Sequence, residues 1–180
     1  QAAQMAQALL ATGAKSQTAT VALIADAAKR GDFESILAQA AEGSSAGAVL
    51  DDLVKAWALV GSGKMTDATA AFDKIAKSKG LEAFGLYHKA LALASAGDFE
   101  GADEILSGRA AGEISVIRRG VIAHIQILSQ LEKNPEAIAL IDATFAPGSD
   151  VEVDGLRRRL EAGEPIPFDV ARNATDGIAE

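Results

Sequence analysis

The sequence predicts an all-α fold built from antiparallel helix pairs, and three observations support this prediction. Hydrophobic residues make up 49% of the 180 residues, and much of that fraction is alanine, the strongest helix former. Aromatic residues amount to only 4%, so the side chains that strands favour are sparse. Helix-breaking corners also recur along the chain at the spacing of one helix pair.

The corners are four short segments that align with one another: RGDFESI at 30–36, SGKMTDA at 62–68, AGDFEGA at 96–102 and EKNPEAI at 132–138. One residue leads from each corner into the next helix, and these residues lie 32, 34 and 35 residues apart: Ile36, Ala68, Ala102 and Ala137. This spacing is typical of a helix-turn-helix repeat.

The segments between the corners give the elements in order. Residues 1–16 begin with a helix over 1–13, which reads as the second helix of a truncated preceding pair. Residues 17–147 then hold about four helix pairs: 19–30 with 33–41, 48–60 with 66–77, 81–96 with 99–107, and 114–131 with 135–145. Residues 148–180 contain a short helix near 153–162, an extended segment with two prolines, and the start of a further helix near Val170. We therefore expect a fragment of a larger protein.

Apolar periodicity supports the helices. In 48–60, one helix face carries an apolar stripe of six residues: Val49, Leu50, Leu53, Val54, Trp57 and Val60. Helix 114–131 is apolar over more of its circumference and is predicted to be the most buried.

The corner residues match helix-capping chemistry. Three glycines are predicted to end helices in the left-handed conformation: Gly31, Gly63 and Gly97. Three side chains are predicted to accept backbone N–H groups at the next helix start: Asp32, Thr66 and Asp98. At the fourth corner, Asn134 is predicted as the N-cap, with Pro135 at the first helical position.

The charge balance narrows the classes of partner. The formal net charge is −8, which argues against a nucleic-acid interface and against adsorption on anionic membranes. No apolar run approaches the roughly 18 residues that span a bilayer. The chain contains no cysteine, which removes disulfides, cysteine zinc sites and thiol catalysis.

At these corners the chain resembles the tetratricopeptide repeat family. One repeat is matched by Ala56, Gly63, Ala68 and Phe72, and the next by Ala90, Gly97, Asp98, Phe99, Ala102 and Leu106. The family's early tryptophan is absent, with Asp52 and Leu86 in its place, so the repeats are degenerate. The resemblance implies a right-handed α-α superhelix whose concave groove, lined by first helices, binds peptides or partner proteins.

A second resemblance concerns the source and location of the protein. The alanine-rich stretch YHKALALASAGDFEGAD is similar to long repeat proteins of alphaproteobacteria that carry export signals. This similarity implies a bacterial protein in the periplasm or cell envelope, with a cytoplasmic location as the alternative.

The segment GSGKMT at 61–66 resembles part of a nucleotide-binding loop, but three features disagree with that interpretation. The loop needs glycine where Ala58 stands, and serine or threonine where Met65 stands. It also follows a strand, whereas 48–60 is predicted to be a helix. We interpret the segment as a corner between helices, with Lys64 pointing to water.

The two histidines, His88 and His124, lie in first helices of successive pairs, 36 residues apart. A metal or acid–base site would need carboxylates that converge on them, and neither has HxxxH or ExxH spacing. We expect no metal, no cofactor and no catalytic residue. Tyr87, His88 and His124 instead become candidate partner-binding residues in the groove.

Arginine is concentrated in the second half of the chain. Arg118, with Tyr87 and His88, is a candidate for lining the groove. Arg157, Arg158 and Arg159 form the densest basic cluster, which could bind an acidic peptide or carboxylate through bidentate contacts. The alternative is a solvated helix paired with Glu161, Glu152 or Asp154.

These features favour a non-enzymatic repeat scaffold that binds another protein or a peptide. The alternative is a structural or self-assembly segment without a separate ligand groove, and an enzyme that uses a histidine or carboxylate in the groove is a weaker third. The proline segment at 164–168 is expected to be held by Ile166 and Phe168. It either caps the last pair, leads into another repeat, or occupies the groove as a built-in ligand.

Overall fold

A computed structural model of the chain describes residues 2–41, 46–108, 114 and 117–180. Over these residues the chain forms α-helices and no strand, so the all-α prediction is confirmed for them. The helices are α1 (Ala2–Ala11), α2 (Gln17–Lys29), α3 (Phe33–Ala41), α4 (Ala48–Gly61), α5 (Met65–Ala76), α6 (Glu82–Ser95), α7 (Phe99–Leu106), α8 (Arg118–Gln130), α9 (Asn134–Thr144), α10 (Val151–Glu161) and α11 (Ala174–Ala179).

The chain divides into two compact units. The first unit contains Gln1–Ile75 together with Asn173–Glu180, and the second contains Ala76–Arg172. In both units, helices that are consecutive in the chain pack against each other, as expected for antiparallel helix pairs. The right-handed superhelix stays a prediction.

The first unit buries the facing sides of its helices in one apolar core. This core contains Ile24, Ala27, Ala28, Ile36, Ala46, Val54 and Ala58. Trp57 of α4 packs edge-on against Phe72 of α5, with the ring centroids 5.5 Å apart. Both rings are fully buried. Leu53, Val54 and Trp57 of the predicted apolar face are buried, whereas Val49 in the first turn of α4 is 44% exposed.

The last helix, α11, belongs to the first unit. It packs against α2 and α4, although it lies more than a hundred residues further along the chain. A hydrogen bond from Thr175 Oγ1 to the backbone oxygen of Ala28, 2.8 Å long, joins α11 to α2. The further helix predicted to begin near Val170 thus begins at Ala174.

The second unit has its own core, which α8, α9 and α10 share. It contains Val121, Ile125, Leu128, Ala137, Ile141, Val153, Leu160 and Ile166. Helix α8 carries buried residues on most of its circumference, in agreement with the prediction for 114–131. The structure places its start at Arg118; Ile114 is also described, and it is buried. Residues 115–116 of the predicted helix lie outside the described part of the chain.

The segment that follows α10 is extended, and side chains of α8 form hydrogen bonds with its backbone. Ser129 Oγ accepts the N–H of Ile166 at 2.9 Å, and Gln130 Nε2 donates to the oxygen of Ile166 at 2.6 Å. Ile166 is buried, and Phe168 packs edge-on against Phe99 of α7. Both residues therefore hold the segment in place, as expected.

The corners share one hydrogen-bond pattern. Gly31, Gly63 and Gly97 have φ of 70°, 72° and 88°, which confirms the predicted left-handed helix ends. After each glycine, the next N–H bonds to the carbonyl five residues earlier, as in Lys64 to Leu59 at 2.9 Å. This is the arrangement of a Schellman cap. The fourth corner repeats it with a non-glycine residue, Glu132, at φ 59°.

Two of the predicted N-caps are confirmed, and two are wrong. Asp32 Oδ1 accepts the N–H of Ser35, and Asp98 Oδ1 accepts that of Gly101. Helix α5 begins at Met65, so Thr66 already lies in its first turn. Helix α9 begins at Asn134 with Lys133 as its N-cap residue.

The alanines and the large apolar residues of the second helices that match the tetratricopeptide pattern are interior positions in this fold, whereas the corner residues Gly63, Gly97 and Asp98 are exposed. Ala56, Ala68, Ala90, Ala102 and Ala137 are fully buried where helices meet, and Phe72 and Leu106 are also buried. Small side chains at such positions allow close approach of the helix axes. Within the described residues, no helix has the length and apolar character needed to cross a membrane.

Candidate functional site

The predicted groove residues on α6 lie inside the second unit. Tyr87 is 5% exposed and His88 is 2% exposed. The His88 ring packs edge-on against Phe84 and Tyr87, with centroid distances of 4.6 Å and 5.3 Å. Neither side chain is open to a partner in this arrangement.

Arg118, another predicted binding residue, is engaged within the second unit. Its Nε and Nη2 atoms donate to the two carboxylate oxygens of Asp150 at 2.6 Å and 3.0 Å, and Nη2 also donates to Glu152 at 2.7 Å. The hydrogen bonds from Arg118 lower the pKa of Asp150 to about 2. Asp150 is also the N-cap of α10, so Arg118 serves to attach α8 to the start of α10.

The basic cluster of α10 is largely paired. Arg157 forms ion pairs with Asp142 of α9 and with Glu161. Arg159 donates to the oxygen of Pro165 at 2.7 Å and lies 3.5 Å from Glu164. Only Arg158 of the three makes no ion pair with the described residues. The predicted carboxylate site is thereby reduced to one available guanidinium.

His124, the other predicted histidine, lies beside a carboxylate that the sequence pattern did not reveal. Its Nε2 is 2.8 Å from Asp103 Oδ1. Asp103 Oδ1 also accepts from Ser107 Oγ at 3.1 Å, and Oδ2 accepts from Lys133 Nζ at 2.6 Å. Burial raises the pKa of Asp103, but the hydrogen bonds from Lys133, His124 and Ser107 outweigh it, so the net pKa is lowered.

This cluster does not have the geometry of a catalytic relay. In a serine–histidine–aspartate relay the two imidazole nitrogens face different partners, one the carboxylate and the other the nucleophile. Here Nε2 of His124 faces both Asp103 and Ser107, and the carboxylate is neutralised by Lys133. The cluster links α7, α8 and α9 as a structural ion-pair network. Within the described residues, no group of three or more histidines and carboxylates could hold a metal ion.

A different feature, in the first unit, has the form of a binding site. It is an apolar cleft of about 150 Å³ between α2, α4 and α11. Its lining residues are Val21, Ile24, Ala25, Ala28, Lys29, Leu50, Val54, Thr175, Ile178 and Ala179. We call this feature the apolar cleft.

The helix periodicity of α2 and α4 places these residues on facing sides. Val21, Ala25 and Lys29 follow one another at intervals of four residues, and so do Leu50 and Val54, which puts each set on one helix face. Val21 remains exposed because α11 covers only part of this surface. The four-residue spacing on α2 can be recognised in the sequence, but the packing of α11 against α2 and α4 cannot.

The chemistry of the apolar cleft is that of a small hydrophobic pocket with one charge at its edge. The hydroxyl of Thr175, the only uncharged polar side chain in the lining, already donates to Ala28. The exposed ammonium of Lys29 makes no ion pair with the described residues. The cleft can therefore bind an apolar group and attract an anionic one beside it.

The comparisons with known proteins give no relative. No family model, no curated protein and no solved structure matches the chain.

Proposed function

We propose that the chain is a non-enzymatic helical-repeat scaffold that binds a protein or peptide, and that the apolar cleft is the binding site. The observation that carries this proposal is an exposed cleft with an almost wholly apolar lining between packed helices. Grooves of this kind bind the apolar face of a partner segment.

The size of the apolar cleft supports one anchoring side chain. A cavity of about 150 Å³ is large enough for a benzene-sized apolar group. Affinity from a single anchor is modest, so neighbouring contacts along α2 and α4 would add to it. Lys29 favours a partner with a carboxylate next to the anchor.

The resemblance to tetratricopeptide repeats supports the same proposal. Proteins of that family form right-handed superhelices that bind peptides and proteins. By the same resemblance we propose a bacterial protein of the periplasm or cell envelope. Cofactors and catalysis have no part in this function.

The test is a pull-down with the full-length protein from its native cell extract, with two matched variants. Ala25→Asp places a carboxylate in the apolar cleft at an exposed helix position, so folding should be retained. Val151→Asp places the same group at an exposed position of the second unit. We expect partner recovery to fall with Ala25→Asp alone. Recovery of only self-copies, or equal recovery with both variants, would refute the proposal.

One observation favours self-assembly as a second candidate function. Met5 and Leu9 lie four residues apart on α1 and are 74% and 45% exposed, so they form an apolar surface on one helix face. Sedimentation of the wild type and of Met5→Lys over a range of concentrations tests this. A concentration-dependent mass that Met5→Lys abolishes would support it, and a constant monomer mass would exclude it.

A further inference from the structure

The apolar cleft of the first unit has walls that are held in place. Thr175 of α11 donates to the backbone oxygen of Ala28 in α2, and Ile178 packs against the core of the unit. Gly177 lies so close to the buried Trp57 ring of α4 that an added Cβ atom would overlap three of its carbons. Helix α11 is therefore fixed against both of the other helices, and the cleft is a preformed space.

Small side chains leave this space open. Helix α2 contributes Ala25 and Ala28 to the lining, and α11 contributes Ala179. The cleft measures about 150 Å³, which is the volume of a cavity that takes one benzene molecule. Pockets for drug-sized ligands start at about 300 Å³. The cleft therefore fits a ligand whose buried part is a single ring or a short branched chain.

The lining also determines where such a ligand can be polar. Apart from Thr175 and Lys29, every lining side chain is apolar. The Thr175 hydroxyl already donates its proton to Ala28, so a polar group inside the cleft would find at most this one oxygen as a partner. A buried polar group without partners is costly. The buried part of the ligand is therefore a hydrocarbon, and its polar group lies at the edge of the cleft, beside Lys29.

Lys29 determines the charge of that polar group. Its exposed ammonium makes no ion pair with the described residues, and it is the only charged side chain of the lining. Neighbouring carboxylates lie outside the lining: Asp26 pairs with Arg30, and Asp176 and Glu180 take part in interactions of their own. A ligand carboxylate at the edge of the cleft would thus gain an ion pair without displacing an existing one.

We propose that the apolar cleft binds a small carboxylate with a benzene-sized apolar body, and that Lys29 pairs with the carboxylate. Burial of the hydrocarbon supplies most of the affinity, and the ion pair sets the orientation of the ligand. The inference rests on the proposed function in one respect. Because the ligand and the anchoring side chain of the protein partner fill the same space, the ligand regulates partner binding by competition.

The first experiment is a titration of the full chain with phenylacetate and with phenylacetamide, which has the same shape without the charge. The methyl resonances of Ile24, Val54 and Ile178 report on binding, because these residues line the cleft. We expect both compounds to shift these resonances saturably, with phenylacetate bound about threefold more tightly, since an exposed ion pair contributes modestly. Equal affinities, or resonances that do not shift, would overturn the proposal.

The second experiment tests the charge at the edge of the cleft. Lys29→Met keeps an unbranched apolar side chain and removes the ammonium. The matched control is Lys55→Met, which removes the same charge from an exposed position of α4 outside the lining. We expect Lys29→Met alone to abolish the preference for phenylacetate, and phenylacetamide to bind both variants as it binds wild type. An equal loss of the preference in both variants would assign it to the net charge of the chain and overturn the role of Lys29.

The third experiment fills the cleft. Position 25 is exposed and leucine is a good helix former, so Ala25→Leu should fold while its side chain occupies the space of the ligand. Ala70→Leu, the same change at an exposed position of α5, is the control. We expect both compounds to bind Ala25→Leu at least about tenfold more weakly, because their buried contact area is lost, and to bind Ala70→Leu normally. Wild-type affinity for Ala25→Leu would overturn the proposal.

The outcomes separate this inference from the proposed function. Phenylacetate binding that Ala25→Leu abolishes, with partner recovery that Ala25→Asp does not change, would retain the ligand site and refute the cleft as the partner site. Partner recovery that depends on Ala25, without phenylacetate binding, would retain the proposed function and refute this inference. Where both sites are retained, phenylacetate added to the pull-down should lower partner recovery, and unchanged recovery would refute the competition.

Discussion

Arg118 holds Asp150 through two parallel hydrogen bonds, 2.6 Å and 3.0 Å long, across 32 residues of sequence. Planar guanidinium and carboxylate groups match each other in this geometry. Asp150 at the same time accepts the N–H groups of Glu152 and Val153 at the start of α10. One carboxylate therefore caps a helix and fixes that helix to α8.

The first prediction concerns acid stability. Asp150 has a pKa of about 2 in the folded chain, against 3.8 for an ordinary aspartate. A lowered folded-state pKa gives stability that is present above the unfolded-state value and is lost as pH falls through the folded-state value. In Asp150→Asn the cap is retained, because asparagine also caps helices, while the charge and one of the two acceptor oxygens that face Arg118 are lost.

We therefore expect wild type to exceed Asp150→Asn in urea midpoint at neutral pH, and the difference to shrink between about pH 4 and about pH 2. Glu104→Gln, which removes an exposed carboxylate of α7, is the control and should show a smaller effect. A difference that stays constant down to pH 2 would mean that Arg118 does not stabilise the ionised form.

The second prediction separates backbone from side chain at the corner 61–66. Gly63 is left-handed, with open space around it, so Gly63→Ala should lower the free energy of unfolding by about 1 kcal/mol through backbone strain alone. The sequence predicts that Lys64 points to water, but in the structure its Nζ lies 3.0 Å from Glu34 Oε1. Because both groups are exposed, Lys64→Ala should change the urea midpoint little.

Nucleotide binding gives an independent check of the same corner. Met65 begins α5 and Ala58 lies inside α4, so the segment connects two helices and does not follow a strand. If Lys64→Ala abolished binding of a nucleotide, this interpretation of the corner would be wrong.

The third prediction uses the corner that lacks glycine. Glu132 has φ 59°, a conformation that costs a non-glycine residue about 1 kcal/mol. Glu132→Gly should therefore raise the urea midpoint, although glycine also adds disorder to the unfolded chain. Glu132→Ala, which keeps the strain, is the control. A midpoint that rises equally in both variants would assign the effect to loss of the charge.

The local features of this fold can be predicted from the sequence, because they depend on neighbouring residues. The glycine helix ends and the caps at Asp32 and Asp98 each follow from a few adjacent positions. The sequence predicts Thr66 and Asn134 as N-caps, each directly before a helix, whereas in the structure both residues lie in the first turn of that helix. Helix starts shift by one residue with little change in energy.

The contacts that decide the site depend on residues far apart in sequence. Asp103 approaches His124, and Asp150 approaches Arg118, through packing of helices that no local pattern encodes. Glycine at 177 gave no sequence signal, yet it determines how α11 reaches Trp57. For this reason the sequence predicts a polar groove around Tyr87 and His88, whereas the structure buries both side chains. The candidate site is instead the apolar cleft of the first unit.

The most direct test of the central claim is photo-crosslinking from the apolar cleft in the native cell. A photoreactive residue at position 25 of the full-length protein, compared with one at position 151 of the second unit, reports what contacts each surface. We expect a crosslink to a different protein from position 25 and none from position 151. No crosslink from position 25, crosslinks only to copies of the same chain, or the same products from both positions would contradict it.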